Sequence, residues 1–155
     1  MHGPDCIIRF VKKSKEKMNV HPEKLPLRIH CLNPVFSICR LEQLKPEYLM
    51  HPFAFSAVTD EEISLVVPEE YAPEDAVECS GGWRGMRIEG QLDFSLTGIL
   101  AGITGVLAEA DIPVFAVSTF RTDYIFVKEE LFERTCRKLA EAGYAVLHDI
   151  SDVKK

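Results

Sequence analysis

Two short polar segments carry residue types that could hold a small charged ligand. Asp93-Phe94-Ser95-Leu96-Thr97-Gly98 joins a strand pattern to a helix pattern. Small residues at a helix entrance leave its first amides exposed, with a partial positive charge that a carboxylate can approach. Ser95 and Thr97 are also ordinary helix caps, so this loop by itself reads as a well-capped helix start. The second segment is Ser118-Thr119-Phe120-Arg121-Thr122-Asp123-Tyr124, a polar hairpin. An aspartate set opposite helix-terminal amides suits a zwitterion, with the amides taking its α-carboxylate and Asp123 its α-ammonium. The plainer role of Asp123 is a turn residue bonded to its own backbone.

Other chemistry finds less support. No G-x-S-x-G, H-E-x-x-H, Walker or G-x-G-x-x-G pattern occurs at the required context, and no nucleophile with a base can be assembled. Gly98, Gly102 and Gly105 share a helix side and read as packing positions. The five cysteines (Cys6, Cys31, Cys39, Cys79, Cys136) are odd in number and widely spaced, without C-x-x-C, so free thiols and no metal site are expected. Cys136 reads as a small core residue, and His148 with Asp149 as surface.

The elements that must position these segments follow from periodicity. Residues 1–34 contain Pro4, Pro22, Pro26, Pro34 and a lysine run, and read as an arm. Strands are expected at Phe36–Leu41, Phe53–Val58 and Ile63–Val67, the last two forming a hairpin, with a loop over Pro68–Ser80 and a turn at Ser80-Gly81-Gly82. Trp83–Leu92 alternates as a half-buried strand, and Ile99, Ile103, Val106, Leu107 and Ala110 recur at helical period. Asp111 and Pro113 end that helix. Val114–Phe120 and Tyr124–Val127 form a second hairpin, Leu131–Ala140 a second helix capped by Gly143, and Tyr144–Leu147 a last strand. The order strand, helix, strand, strand, helix, strand is that of a ferredoxin-like split βαβ unit, whose two helices cover one face of an antiparallel sheet. Its other face or an edge must be covered by something else, which residues 35–80 could begin and a homologous subunit could finish. Residues 35–80 read as a degenerate copy of the unit with shortened helices.

The chain has 155 residues, 46% hydrophobic and 27% charged, which fits one globular domain or two small ones sharing a core. No apolar run reaches the roughly 18 residues of a membrane span and no secretory leader opens the chain, so a cytoplasmic location is expected. The net charge of −6 divides into +3 over residues 1–24 and −9 over the remainder. An acidic body disfavours nucleic acid, whose binding runs on clustered lysine and arginine. The basic segment Ile7–Met18 reads as a solvated arm or a short edge strand rather than a membrane or nucleic-acid contact.

The stretch DFSLTGILAGITGVLAEADIPVFAVSTFRTDYIFVKEE, with GGWRGMRIEG before it, resembles the ACT-domain family, in the branch of the CASTOR-type amino-acid sensors related to aspartate-kinase regulatory domains. The resemblance is strong over 82–147, weaker over 36–80, and does not reach residues 1–30. It implies an α+β fold of tandem ferredoxin-like ACT units (βαββαβ, the second regular and the first degenerate), divided as arm 1–34, first unit 35–81, second unit 82–150 and tail 151–155. It also implies no catalysis, no cofactor, and an amino acid bound between two ACT units. Carried over, the ligand-binding positions are Asp93, Phe94, Ser95, Leu96, Thr97, Gly98, Leu100, Thr119, Phe120 and Asp123, with Ile112, Pro113 and Val114 from the neighbouring unit. One tandem pair would then need a second copy, giving a homodimer that signals to a regulatory protein partner. The arginine-binding relatives carry an acidic residue at the position of Leu96. Without that counter-ion a small or aliphatic amino acid is expected rather than arginine. The competing readings are a ligand-free dimerisation module, an RNA-binding ferredoxin-like domain and an enzyme.

Overall fold

The computed structural model describes residues 8–11, 27–89 and 98–148, with the backbone alone for 8–11. The elements run β1 (Ile8–Val11), β2 (Arg28–Leu41), β3 (Phe55–Val58), β4 (Ile63–Pro68), β5 (Glu78–Glu89), α1 (Ile99–Glu109), β6 (Val114–Ser118), β7 (Asp123–Lys128), α2 (Phe132–Glu141) and β8 (Ala145–Leu147). The strands form one eight-stranded sheet in the order β1-β6-β7-β5-β2-β4-β3, with β8 on β2. All pairs are antiparallel except β2 with β8.

The sheet holds two overlapping copies of the same unit. In the C-terminal copy β5, α1, β6, β7, α2 and β8 follow the expected order. In the N-terminal copy the same places are taken by β2, β3, β4 and β5, with 3-10 turns at Pro46–Leu49 and Glu69–Tyr71 where the helices would stand. β5 thus closes the first copy and opens the second. β2 lies beside β5, so β8 pairs with β2 instead of with β5. The copies exchange strands within one sheet and are not separate lobes. An antiparallel sheet with helices on one face over the regular copy is the α+β, ferredoxin-like arrangement expected from the sequence.

Two departures have backbone causes. β2 begins at Arg28, inside the segment read as an arm. Its pairing with β5 skips from Cys31↔Met86 to Val35↔Arg84, so Leu32-Asn33-Pro34 bulges opposite Gly85. A bulge is where a central strand can absorb a proline that donates no ladder bond. Likewise Ser80-Gly81-Gly82 is no turn. The pairing moves from Phe36↔Trp83 to Ile38↔Ser80, and Gly82, at φ 71°, supplies the left-handed residue of a second bulge within β5.

Strand alternation divides the core. On one face Ile29, Met86, Ile88, Val114, Ala116, Ile125 and Val127 meet Ile103 and Leu107 of α1 and Phe132 and Leu139 of α2. On the same face of the degenerate copy, Cys39, Leu41, Leu65 and Val67 are covered by Leu44, Tyr48, Ala72 and Ala76 around the two 3-10 turns. The opposite face is aromatic: Phe36, Trp83, Phe115 and Phe126 pack with Phe53, Phe55 and Tyr124. The ring of Phe55 on edge strand β3 packs tilted against Tyr124 of β7, 5.0 Å between centroids, although β4, β2 and β5 lie between them in the sheet. The sheet therefore curls, and the first copy covers the second face of the regular one.

Cys39 and Cys79 face each other across β2 and β5 and are joined as a disulfide. This corrects the expectation of free thiols, because a cross-strand register between residues 40 apart leaves no spacing signature in the sequence. Cys31 and Cys136 are free.

Candidate ligand site

The β6–β7 hairpin is built on threonine chemistry. The Thr119 amide donates to the Thr122 carbonyl at 2.9 Å, its hydroxyl donates to the same carbonyl at 2.9 Å, and the Thr122 amide donates to the Thr119 hydroxyl oxygen at 3.3 Å. Thr59 and Glu62 repeat this pattern in the β3–β4 turn, with the Thr59 amide to the Glu62 carbonyl at 2.9 Å. The duplicated turn places the polar residues of the second hairpin without using Asp123. That side chain instead accepts the Ser118 hydroxyl at 2.5 Å across the strand pair. The carboxylate is therefore bonded across the strand pair and not to its own turn backbone.

Strand parity directs Asp123. It shares a face with Ile125 and Val127, and Ser118 with Val114 and Ala116, which is the face that α1 and α2 cover. The Thr122 hydroxyl donates to the Ile88 carbonyl at 2.5 Å, tying the turn to the end of β5. β5 runs from there towards residues 90–97 and α1. Phe120 stands at the hairpin tip, 88% exposed.

Gly98 is the N-cap of α1 at φ 84°, without a side-chain cap. The left-handed conformation there explains the glycine better than helix packing does. A side chain at Gly102 would meet the Tyr144 hydroxyl at 3.0 Å, while one at Gly105 would meet nothing within 4 Å. Asp93, Phe94, Ser95, Leu96 and Thr97 lie outside the described residues. Leu100 is half-buried against the core, Ile112 and Val114 are buried within it, and Pro113 is exposed between them. The side chains of Ile112 and Val114 are thereby committed to their own core. The hairpin residues Thr119, Phe120 and Asp123 do come together at one end of the sheet.

A second polar group at that end escapes sequence reasoning. Glu89 accepts from His30 Nδ1 at 2.8 Å, lies 3.5 Å from Arg87 and 3.9 Å from Arg28. Burial acts to raise the Glu89 pKa, but the hydrogen bonds from His30 and Arg87 and the charges of His30 and Arg28 outweigh it and hold the carboxyl below its ordinary value. Arg87 and Glu89 alternate with Met86 and Ile88, so this cluster sits on the face opposite Asp123. The i, i+2 spacing of Arg87 and Glu89 was its one sequence signal.

Comparison with known proteins agrees with the fold. Residues 78–141 match the ACT-domain family, and this segment of the chain is an ACT domain. Among curated relatives, the cytosolic arginine sensor for mTORC1 subunit 1 of Pongo abelii is 31% identical over 145 residues, covering 83% of this chain and 44% of the relative. The chain thus spans less than half the length of that relative. Among solved structures, a protein of Agobacterium tumefaciens matches with a TM-score of 0.74 and 29% identity, over 80% of this chain and 94% of that one. The regulatory subunit of aspartate kinase from Thermus thermophilus, at 12% identity and a TM-score of 0.54, covers 74% of this chain and 95% of that one and shares its fold.

Proposed function

We propose that the chain is a non-catalytic regulatory module that binds an amino acid at its second ACT unit. The observation that carries this reading is the placement of Asp123. Its carboxylate is held by Ser118 on the sheet face beneath α1, at the end where β5 leads into the α1 entrance. An α-ammonium is the ligand group that such a carboxylate selects, and helix-entrance amides suit the accompanying α-carboxylate. The ACT match over residues 78–141 and a relative named as an arginine sensor support the amino-acid class. Leucine at position 96 favours a small or aliphatic side chain over arginine.

The site is completed in this reading by a second copy of the chain, which offers the backbone of residues 112–114 and the exposed ring of Pro113. Occupancy would favour one assembly, and so inform a protein partner, only through different affinities for the two states. None of the helices in the described residues is long and apolar enough to cross a membrane, and a cytosolic location accords with the named relative. The test is a thermal-shift screen of the full chain against the twenty amino acids at millimolar concentration, with molecular mass measured by light scattering in parallel. A selective rise in melting temperature supports the reading. A flat response across the panel removes it in favour of a ligand-free structural module.

A further inference from the structure

Cys31, Cys136 and His148 come from three elements distant in sequence, yet their ligand atoms all lie within 4.8 Å of one another. Cys31 is on the helix-facing side of β2, Cys136 is on α2, and His148 directly follows β8. The pairing of His30 with Leu147 brings the next residue of each strand side by side. The rings of His148 and Phe132 meet at a near right angle, 6.3 Å between centroids.

The two sulfurs are 3.9 Å apart. Two thiolates about 2.3 Å from a tetrahedral zinc ion stand roughly 3.8 Å from each other. A disulfide would need about 2.0 Å. The spacing therefore suits a shared ion with little movement. Burial falls from Cys31 through half-buried Cys136 to exposed His148, which gives the ion a way in and leaves a fourth position open to solvent. The Arg84 guanidinium lies over the Phe132 ring at 4.1 Å, and its buried Nε has no hydrogen-bond partner among the described residues.

We propose that Cys31, Cys136 and His148 form a binding site for one zinc-class cation, joining β2, α2 and the end of β8. Two thiolates and an imidazole select a borderline-soft ion such as zinc over calcium or magnesium, which take oxygen ligands. On binding, each thiol gives its proton to solvent and each sulfur donates a lone pair to the ion, with no change of oxidation state. The site lies between the sheet and α2, separate from Asp123.

The experiment is cobalt titration of the full chain, with Cys6→Ser as background and the Cys39–Cys79 disulfide left intact. The expected result is one equivalent of tetrahedral cobalt with a sulfur-to-metal charge-transfer band, displaced by zinc. Cys136→Ser should remove much of that band, and His148→Gln should weaken affinity by at least about tenfold. His148 is exposed, so its variant leaves the core unaltered, and circular dichroism checks the fold of both. Absence of the band at stoichiometric cobalt, or a band unchanged in Cys136→Ser, overturns the proposal.

Discussion

Asp123 and Glu89 are both strand-end carboxylates, but their surroundings give them different work. Asp123 has one hydroxyl partner and faces the helix side. Glu89 is clamped by His30, Arg87 and Arg28. Since the Glu89 carboxyl is held below its ordinary value, its contribution is present at neutral pH and is lost as the pH falls through the carboxylate range below about 4.3. Glu89→Gln should cost about 1 kcal/mol or less at pH 7, a gap that closes in acid; chemical denaturation at several pH values measures it. Gly85 is a sharper case. A methyl group there would meet Phe126 at 3.0 Å, Phe36 at 3.1 Å and Leu32 at 3.2 Å. Gly85→Ala should cost about 1–3 kcal/mol by overpacking, read from the denaturant midpoint. The polar hairpin was legible in the sequence because turn threonines and an aspartate are local signals. The Glu89 clamp was not, since His30 lies 59 residues away and meets it only through the pairing of β2 with β5.

At the level of elements, both helices end in the same way. Gly143 at φ 97° and Asp111 at φ 56° take the left-handed position after α2 and α1. The Gly143 and Tyr144 amides bond back to the Ala140 and Leu139 carbonyls, and the Asp111 and Ile112 amides to Ala108 and Leu107. Both stops could be read from sequence, because a glycine or aspartate after a helical period is a local signature. Gly143→Ala should therefore destabilise by about 1–2 kcal/mol, having space but an unfavourable φ. Gly105→Ala, inside α1 with open space, should stabilise by up to about 1 kcal/mol. Thermal denaturation of the pair would show opposite shifts; a common sign would undo this account of the two glycines. The start of β2 was illegible for the converse reason. Pro34 argues against a central strand unless a bulge receives it, and the bulge exists only in the partnership with β5.

The whole molecule is one curled sheet in which an irregular copy of the unit shields the aromatic face of a regular one. The repeated order of elements and the second copy's helices were readable from periodicity. The sharing of β5 and the insertion of β2 were not, because strand order is a long-range property. The Cys39–Cys79 disulfide fastens those two central strands across 40 residues. Cys79→Ser should lower stability by about 2–4 kcal/mol, and reductant should lower the wild type to the same level in equilibrium unfolding. Ligand binding by the second ACT unit separates a sensor from a structural module. Its most direct test is isothermal titration of the full chain and of Asp123→Ala with each of the twenty amino acids. Saturable heat with a small or aliphatic amino acid is expected for the wild type and none for Asp123→Ala, whose circular dichroism is unchanged. Equal binding by both proteins would contradict it.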